Sequence, residues 1–193
     1  MKILHLDSSI LGGGSARRAL SAAVVGRLPS PDRATGIVYG DLPASPLPHM
    51  TLEGLGSDLG QALLAEFEAA DTVVVGAPMY NLGLSSLLKA WIDHIVVAGR
   101  TFRYGPDGAT GLAGAKRVIV AHTRGGLYAP GTPGEGAEFS EAYLRGILAF
   151  IGVTSPEFIV AEGLALGEAP REEALAAAYR TIASLDAARR AAA

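Results

Sequence analysis

Three short stretches of this 193-residue chain carry the residue types of a ligand site: Ser8-Ser9-Ile10-Leu11-Gly12-Gly13-Gly14-Ser15, Ala77-Pro78-Met79-Tyr80-Asn81 and Thr123-Arg124-Gly125-Gly126. In the first, the glycines let the backbone take positive φ and approach a ligand closely. Ser9 and Ser15 offer hydroxyls, and the amides of Ser15, Ala16 and Arg17 open a helix. Free N–H groups at a helix start favour an anion, and phosphate is the natural guest. The helix dipole contributes only about 0.3–2 kcal/mol, so hydrogen bonds must supply most of the affinity. Taken alone, the stretch also reads as a turn capped by Ser15. In the second, Met79 and Tyr80 are apolar and flat-faced and Asn81 is a bidentate amide, a set suited to a planar heteroaromatic ring. Alone, that pair also reads as a cover over the end of a sheet. The third again permits close backbone approach.

Each stretch follows an apolar run that reads as a strand. Strands are expected over 2–6, 36–39, 72–76, 116–121 and 157–161, and helices over 15–28, 59–70, 85–98, 138–151 and 172–190. The β-branched run Thr72-Val73-Val74-Val75 implies burial on both faces, as in a parallel sheet. Five repeats of strand then helix predict one α/β domain over 1–193, a five-stranded parallel sheet with helices on both faces. The flavodoxin-like order 2-1-3-4-5 puts the switch point between strands one and three, the two that precede the most distinctive loops.

Composition narrows the chemistry. Hydrophobic residues are 49%, charged residues 18% and the net charge is −3, which gives no electrostatic case for nucleic acid or a membrane surface. Cysteine is absent, so thiolate nucleophiles and cysteine metal sites are excluded. No secretory leader or spanning run is apparent, and a soluble cytoplasmic protein is the expectation. The histidines at 5, 49, 94 and 122 have no metal-ligand spacing, so no metal is assigned; His122, beside the third loop, is the one placed near a ligand. The nucleotide-hydrolysing P-loop fails because no lysine follows the glycines. A phospho-receiver fails because the third strand ends in Gly76-Ala77-Pro78, and no nucleophile elbow is present.

Phosphate at the first loop and a ring at the other two describe a mononucleotide, and flavin mononucleotide is the one held at this switch point. With those residues, and with Thr101-Phe102-Arg103-Tyr104, Phe150-Ile151-Gly152 and Ala161-Glu162-Gly163, the chain resembles the FMN-dependent NADH-azoreductase family. That is a flavodoxin-like group that also reduces quinones. The resemblance implies that Ser9, Ser15, Ala16 and Arg17 hold the phosphate. It implies that Met79, Tyr80, Asn81 and Leu82, with Thr123, Arg124, Gly125 and Gly126, surround the ring. Leu82 stands where the family has an aromatic residue, Thr123 replaces Ser but keeps a hydroxyl, Ala16-Arg17 replaces a more polar pair, and the 48–59 stretch is shorter; Leu82 and the shorter stretch bear on acceptor range. The implied cycle is ping-pong, with hydride passing from NADH through tightly bound FMN to quinones and azo compounds. The cofactor carries the chemistry, so no residue is named catalytic.

Phe102, Tyr128 and Phe150 are the candidates for stacking on substrate, with core packing as the alternative for each. The stretch 125–136 lacks apolar periodicity and is expected to move over the ligand. Leu84, Leu87, Leu88, Trp91, Ile92, Ile95, Val96 and Val97 form an apolar arc wider than one sheet face requires. A homodimer interface would account for it, as would deep burial, and the resemblance implies a homodimer with shared sites. Two other readings stay open: an electron carrier without its own NADH reaction, and a phosphoester hydrolase.

Overall fold

The computed structural model describes residues 1–11, 15–29 and 36–191. The glycines at 12–14, central to the first loop, lie outside the described residues. The elements are β1 (Ile3–Asp7), α1 (Ala16–Arg27), β2 (Ile37–Asp41), a 3-10 turn (Gly54–Gly56), α2 (Asp58–Ala69), β3 (Thr72–Tyr80), β4 (Gly83–Leu84), α3 (Ser86–Ile95), β5 (Phe102–Gly105), β6 (Gly108–Gly111), β7 (Arg117–Thr123), α4 (Ser140–Phe150), β8 (Glu157–Ala161) and α5 (Glu168–Ala191).

The main sheet runs β2-β1-β3-β7-β8, all parallel, which is the expected order 2-1-3-4-5. Register sets Leu6 beside Val75 and Asp7 beside both Gly76 and Asp41, so β1 ends level with Gly76 while β3 continues beyond it to Tyr80. Alternation along each strand feeds two cores. Leu4, Leu6, Val73, Val75, Val118 and Val120 pack with α2, α3 and α4 through Leu64, Phe67, Trp91, Ile95 and Leu144. Ile3, Val74, Ile119 and Ile159 pack on the other face with Leu20, Val24, Ile182 and Leu185 of α1 and α5. Leu88, Trp91, Ile92 and Ile95 of α3 are buried within this one chain. Half of the wide apolar arc of α3 is thus taken up by its own core, with Leu84, Leu87, Val96 and Val97 half-buried against it. No helix among the described residues is long and apolar enough to cross a membrane.

The helix starts follow local sequence. Ser15, Ser57 and Ser85 accept from the amides of Arg17, Gly60 and Leu88 at 3.2, 3.1 and 3.1 Å, each an N-cap. Helix α5 begins four residues before expectation. Pro170 falls in its first turn, where no amide donor is required.

The sequence reading missed the β5–β6 hairpin. Its strands are short and mostly exposed, and they show no apolar alternation. It is held by contact with the end of α4. A Cβ on Gly111 would lie 2.1 Å from the Gly152 nitrogen, so backbone meets backbone there. Phe102 and Phe150 pack with ring centroids 4.6 Å apart at the same joint. The joint sits at the amino-terminal end of the sheet, because Ala113 donates to Ile151 and the Arg117 amide, at the start of β7, donates to Asp71.

Candidate active site at the carboxyl rim of the sheet

The first loop rests on a buried polar platform. The Asp7 carboxylate accepts from Ser21 Oγ at 2.7 Å and from the Tyr39 hydroxyl at 3.1 Å. A side chain at position 76 would meet Asp7 Oδ1 at 2.4 Å, which explains Gly76. Burial, then the neighbouring Asp7, raises the Tyr39 pKa; burial lowers that of His5 against the pull of Asp7. Arg18 grips Asp41 with both terminal nitrogens at 2.5 and 2.8 Å and donates to the Ser9 carbonyl at 3.2 Å. Its hydrogen bond lowers the pKa of the Asp41 carboxyl. Helix α1 and β2 together therefore tie down the backbone at Ser9.

Above this platform several donors meet at one oxygen. The Tyr80 hydroxyl accepts from the Ile10 amide and from Arg17 Nη1, both at 3.2 Å, and lies 3.4 Å from Ser9 Oγ. Ser9 Oγ is 3.2 Å from the cap hydroxyl of Ser15. Tyr80 is brought here by the β3–β4 hairpin. Strand β3 runs four residues past Gly76, carrying Pro78 within it, and turns through Asn81 at φ 47° and Leu82 at φ 67°. Two successive left-handed residues make the tight hairpin turn that normally takes Asn-Gly. Asn81 suits it; Leu82 is strained. The Leu82 carbonyl accepts from Phe139, which links the second loop to the start of α4. Met79 is buried in this arrangement.

The third loop has a different construction. Arg124 is buried, and its guanidinium reaches Glu141, Glu162 at 3.4 Å and Glu138 at 4.0 Å. Glu162 also accepts the Tyr128 amide at 3.1 Å. Glu138 caps α4 by accepting from the amides of Ser140 and Glu141. Burial would raise its pKa, but the bonds from Ser140 and Glu141 and the charge of Arg124 leave it lowered. His122 donates from Nδ1 to the Ala77 carbonyl at 2.7 Å, and its Nε2 is 3.0 Å from Ser140 Oγ. Burial lowers its pKa, opposed by the Ala77 bond. The carbonyls of Arg124, Gly125 and Gly126 are taken by the amides of Leu164, Ala165 and Gly163. The amides of Gly125 and Gly126 have no partner among the described residues, and Thr123 Oγ1 is buried without one. The stretch from Leu127 to Ala137 is folded into successive turns: Gly134 donates to Leu127, Thr132 to Ala129 and Ala137 to Gly134.

The structure thus brings Ser9, Ser15, Arg17 and Tyr80 into contact, with Asn81 and Leu82 on the same hairpin. Thr123 to Gly126 follow β7, next to β3 in the sheet. Tyr128 lines an open cleft with Arg124, Glu138 and Glu162. The chain does not bring Phe102 and Phe150 to this rim. They lie at the opposite end of the sheet, where Phe102 is 7% exposed and packed on Phe150. The Arg124 side chain is committed to carboxylates, leaving the main chain of that loop and the Thr123 hydroxyl for a ligand. Sequence reading missed Arg18, Glu138 and Glu141, and gave Glu162 no role although it lies in one of the stretches that carry the resemblance. Little in the sequence marked Glu138, since glutamate is not among the favoured caps and its bonds to the first amides of α4 appear only in the fold.

The rim fits a flavin mononucleotide on three observations: donors converging on one oxygen beside the α1 cap, unpartnered amides at Gly125 and Gly126, and the orphaned Thr123 hydroxyl. No group of three or more acidic or histidine side chains among the described residues is arranged to hold a metal.

Comparison with known proteins gives the family. The profile of a family described as having a flavodoxin-like fold matches residues 1–185. A protein of Methylorubrum extorquens named FMN-dependent NADH:quinone oxidoreductase is 54% identical, covering 97% of this chain and 100% of its own length. One of Bradyrhizobium diazoefficiens, named FMN-dependent NADH:quinone oxidoreductase 2, is 50% identical over the same shares. Among solved structures, an azoreductase from Bacillus anthracis superposes with a TM-score of 0.84 at 27% identity, covering 95% of this chain and 97% of its own. The chain belongs to this flavodoxin-like family, as its sheet order and its end-to-end likeness to these relatives require.

Proposed function

We infer that this protein is an FMN-dependent NADH:quinone oxidoreductase that also takes azo compounds. The observation that carries the reading is the 54% identity along essentially the whole chain to a protein of that name. The rim supplies the parts. Ser9 and Ser15, with the amides of Ala16 and Arg17, would hold the phosphate at the start of α1. The hairpin Met79-Tyr80-Asn81-Leu82 and the main chain of Thr123, Arg124, Gly125 and Gly126 would border the ring. The free amides of Gly125 and Gly126 would donate to its polar edge. Tyr128 would face a flat acceptor from the cleft beside Arg124. When bound, the flavin supplies the redox chemistry, accepting hydride from NADH and returning the reducing equivalents to the acceptor. The protein's own task is to anchor, orient and exclude water, which agrees with a rim that has hydroxyls and amides rather than a nucleophile.

This reading includes a single functional unit over 1–193, acting in the cytoplasm where NADH is available, and a homodimer. Tyr104 at 73% exposure and Leu112 at 44%, both at the β5–β6 hairpin, offer apolar surface to a second copy and support the dimer. The test is direct. Purified protein should be yellow, bleach anaerobically with NADH and recover its colour with a soluble quinone. A yellow protein that leaves NADH unoxidised would be a carrier instead, and a colourless one that refuses FMN would end the reading. Mass determination in solution checks the dimer.

A further inference from the structure

Arg17 and Arg18 are neighbours with opposite surroundings. Arg18 is paired with Asp41 through two hydrogen bonds. Arg17 makes no ion pair with a carboxylate among the described residues. Its guanidinium lies over the Tyr80 ring, 5.3 Å from the centroid, and donates to the Tyr80 hydroxyl. The first turn of α1 has no acidic residue. A cation in the first turn of a helix opposes the helix dipole, an opposition that an anion brought to it would relieve. The Tyr80 hydroxyl stands at the meeting point of the Ile10 amide, Arg17 Nη1 and Ser9 Oγ. Those donors suit a phosphate oxygen, which bears charge that a phenol lacks and makes stronger, charge-assisted bonds.

Resting on the reading of the rim as an FMN site, we propose that Arg17 and Tyr80 form a latch that makes phosphate the discriminating group. The Tyr80 hydroxyl and a phosphate oxygen compete for the same partners, the Ile10 amide, Arg17 Nη1 and the Ser9 hydroxyl. Arg17 turns from the phenol to the phosphate as FMN binds. The phenol is released, free to settle along the ribityl chain or ring. Riboflavin, with no phosphate, cannot displace the hydroxyl and gains nothing from Arg17. The site is thereby selective for the phosphorylated flavin through the charge of Arg17.

The experiment is a fluorescence titration of the flavin-stripped full chain with FMN and with riboflavin, repeated for Arg17→Gln and Tyr80→Phe. Wild type is expected to bind FMN at least about 100-fold more tightly than riboflavin, and inorganic phosphate should compete with FMN alone. Arg17→Gln should lower that preference by about tenfold while riboflavin affinity, which also reports on folding, stays within about twofold. Tyr80→Phe should raise the preference by about threefold, because the competitor is gone. An equal loss for both flavins in Arg17→Gln overturns the role of Arg17. A preference unchanged or lowered in Tyr80→Phe overturns the competition, making the hydroxyl a spectator or a phosphate ligand. Failure of wild type to bind either flavin overturns the FMN reading itself, and the latch with it.

Discussion

The first and third loops end neighbouring parts of one rim yet handle charge in opposite ways. The third loop spends its cation internally, with Arg124 buried among Glu138, Glu141 and Glu162. The first loop leaves Arg17 facing a phenol and gathers hydroxyls and amides around it. An arginine surrounded by carboxylates is scaffold, because removing it strands buried charge. An arginine without one can respond to a ligand. The contrast separates what shapes the rim from what reads its guest.

Replacing Arg124 by Met should cost about 3–5 kcal/mol in urea unfolding, the usual effect of leaving buried acids unpaired. A loss within about 0.5 kcal/mol, typical of an exposed site, would erase the distinction between the loops. Acidification attacks the same region. The folded His122 has a pKa below its ordinary value of 6.5, so the unfolded chain takes up protons first and stability falls as pH drops below that value. Glu138, also lowered, loses its contribution at lower pH still, as its carboxylate is protonated. The slope for one such histidine is at most about 1.4 kcal/mol per pH unit, and His122→Asn should remove it between pH 6.5 and 5. An unaltered slope in that variant would assign the acid sensitivity elsewhere.

Smaller effects sharpen the contrast at the first loop. Leu82→Gly, at φ 67°, should raise stability by about 1 kcal/mol by removing left-handed strain, read as a higher midpoint in thermal unfolding. A lower midpoint would mean that the Leu82 side chain packs for more than its backbone loses. Arg17→Gln should cost no more than about 1 kcal/mol, the worth of a part-exposed hydrogen bond to a phenol and of a cation over its ring. If it destabilises as much as Arg124→Met, the two arginines do the same job.

The sheet was readable because strand signals are local. Val73, Val74 and Val75 announce a doubly buried strand, and Ser15 and Ser85 announce helix starts, whatever lies elsewhere in the chain. The β5–β6 hairpin was not readable, because Gly111 and Gly152 hold it by contact across some forty positions of sequence. Phe102 and Phe150 looked like site residues because an aromatic beside a loop can equally stack on a substrate or on another ring. Their packing on each other at the far end of the sheet keeps both from this chain's own rim.

What the sequence determined by itself is the alternation of strand and helix, hence the parallel sheet and the rim where loops one, two and three end, since handed crossovers leave few other arrangements. Which polar side chains meet there was decided by tertiary structure alone. Glu141 and Glu162 come to Arg124 from two different elements, and the Tyr80 hydroxyl comes to Arg17 from another strand. Charge pairing depends on distance in space, and a linear order of residues does not record it.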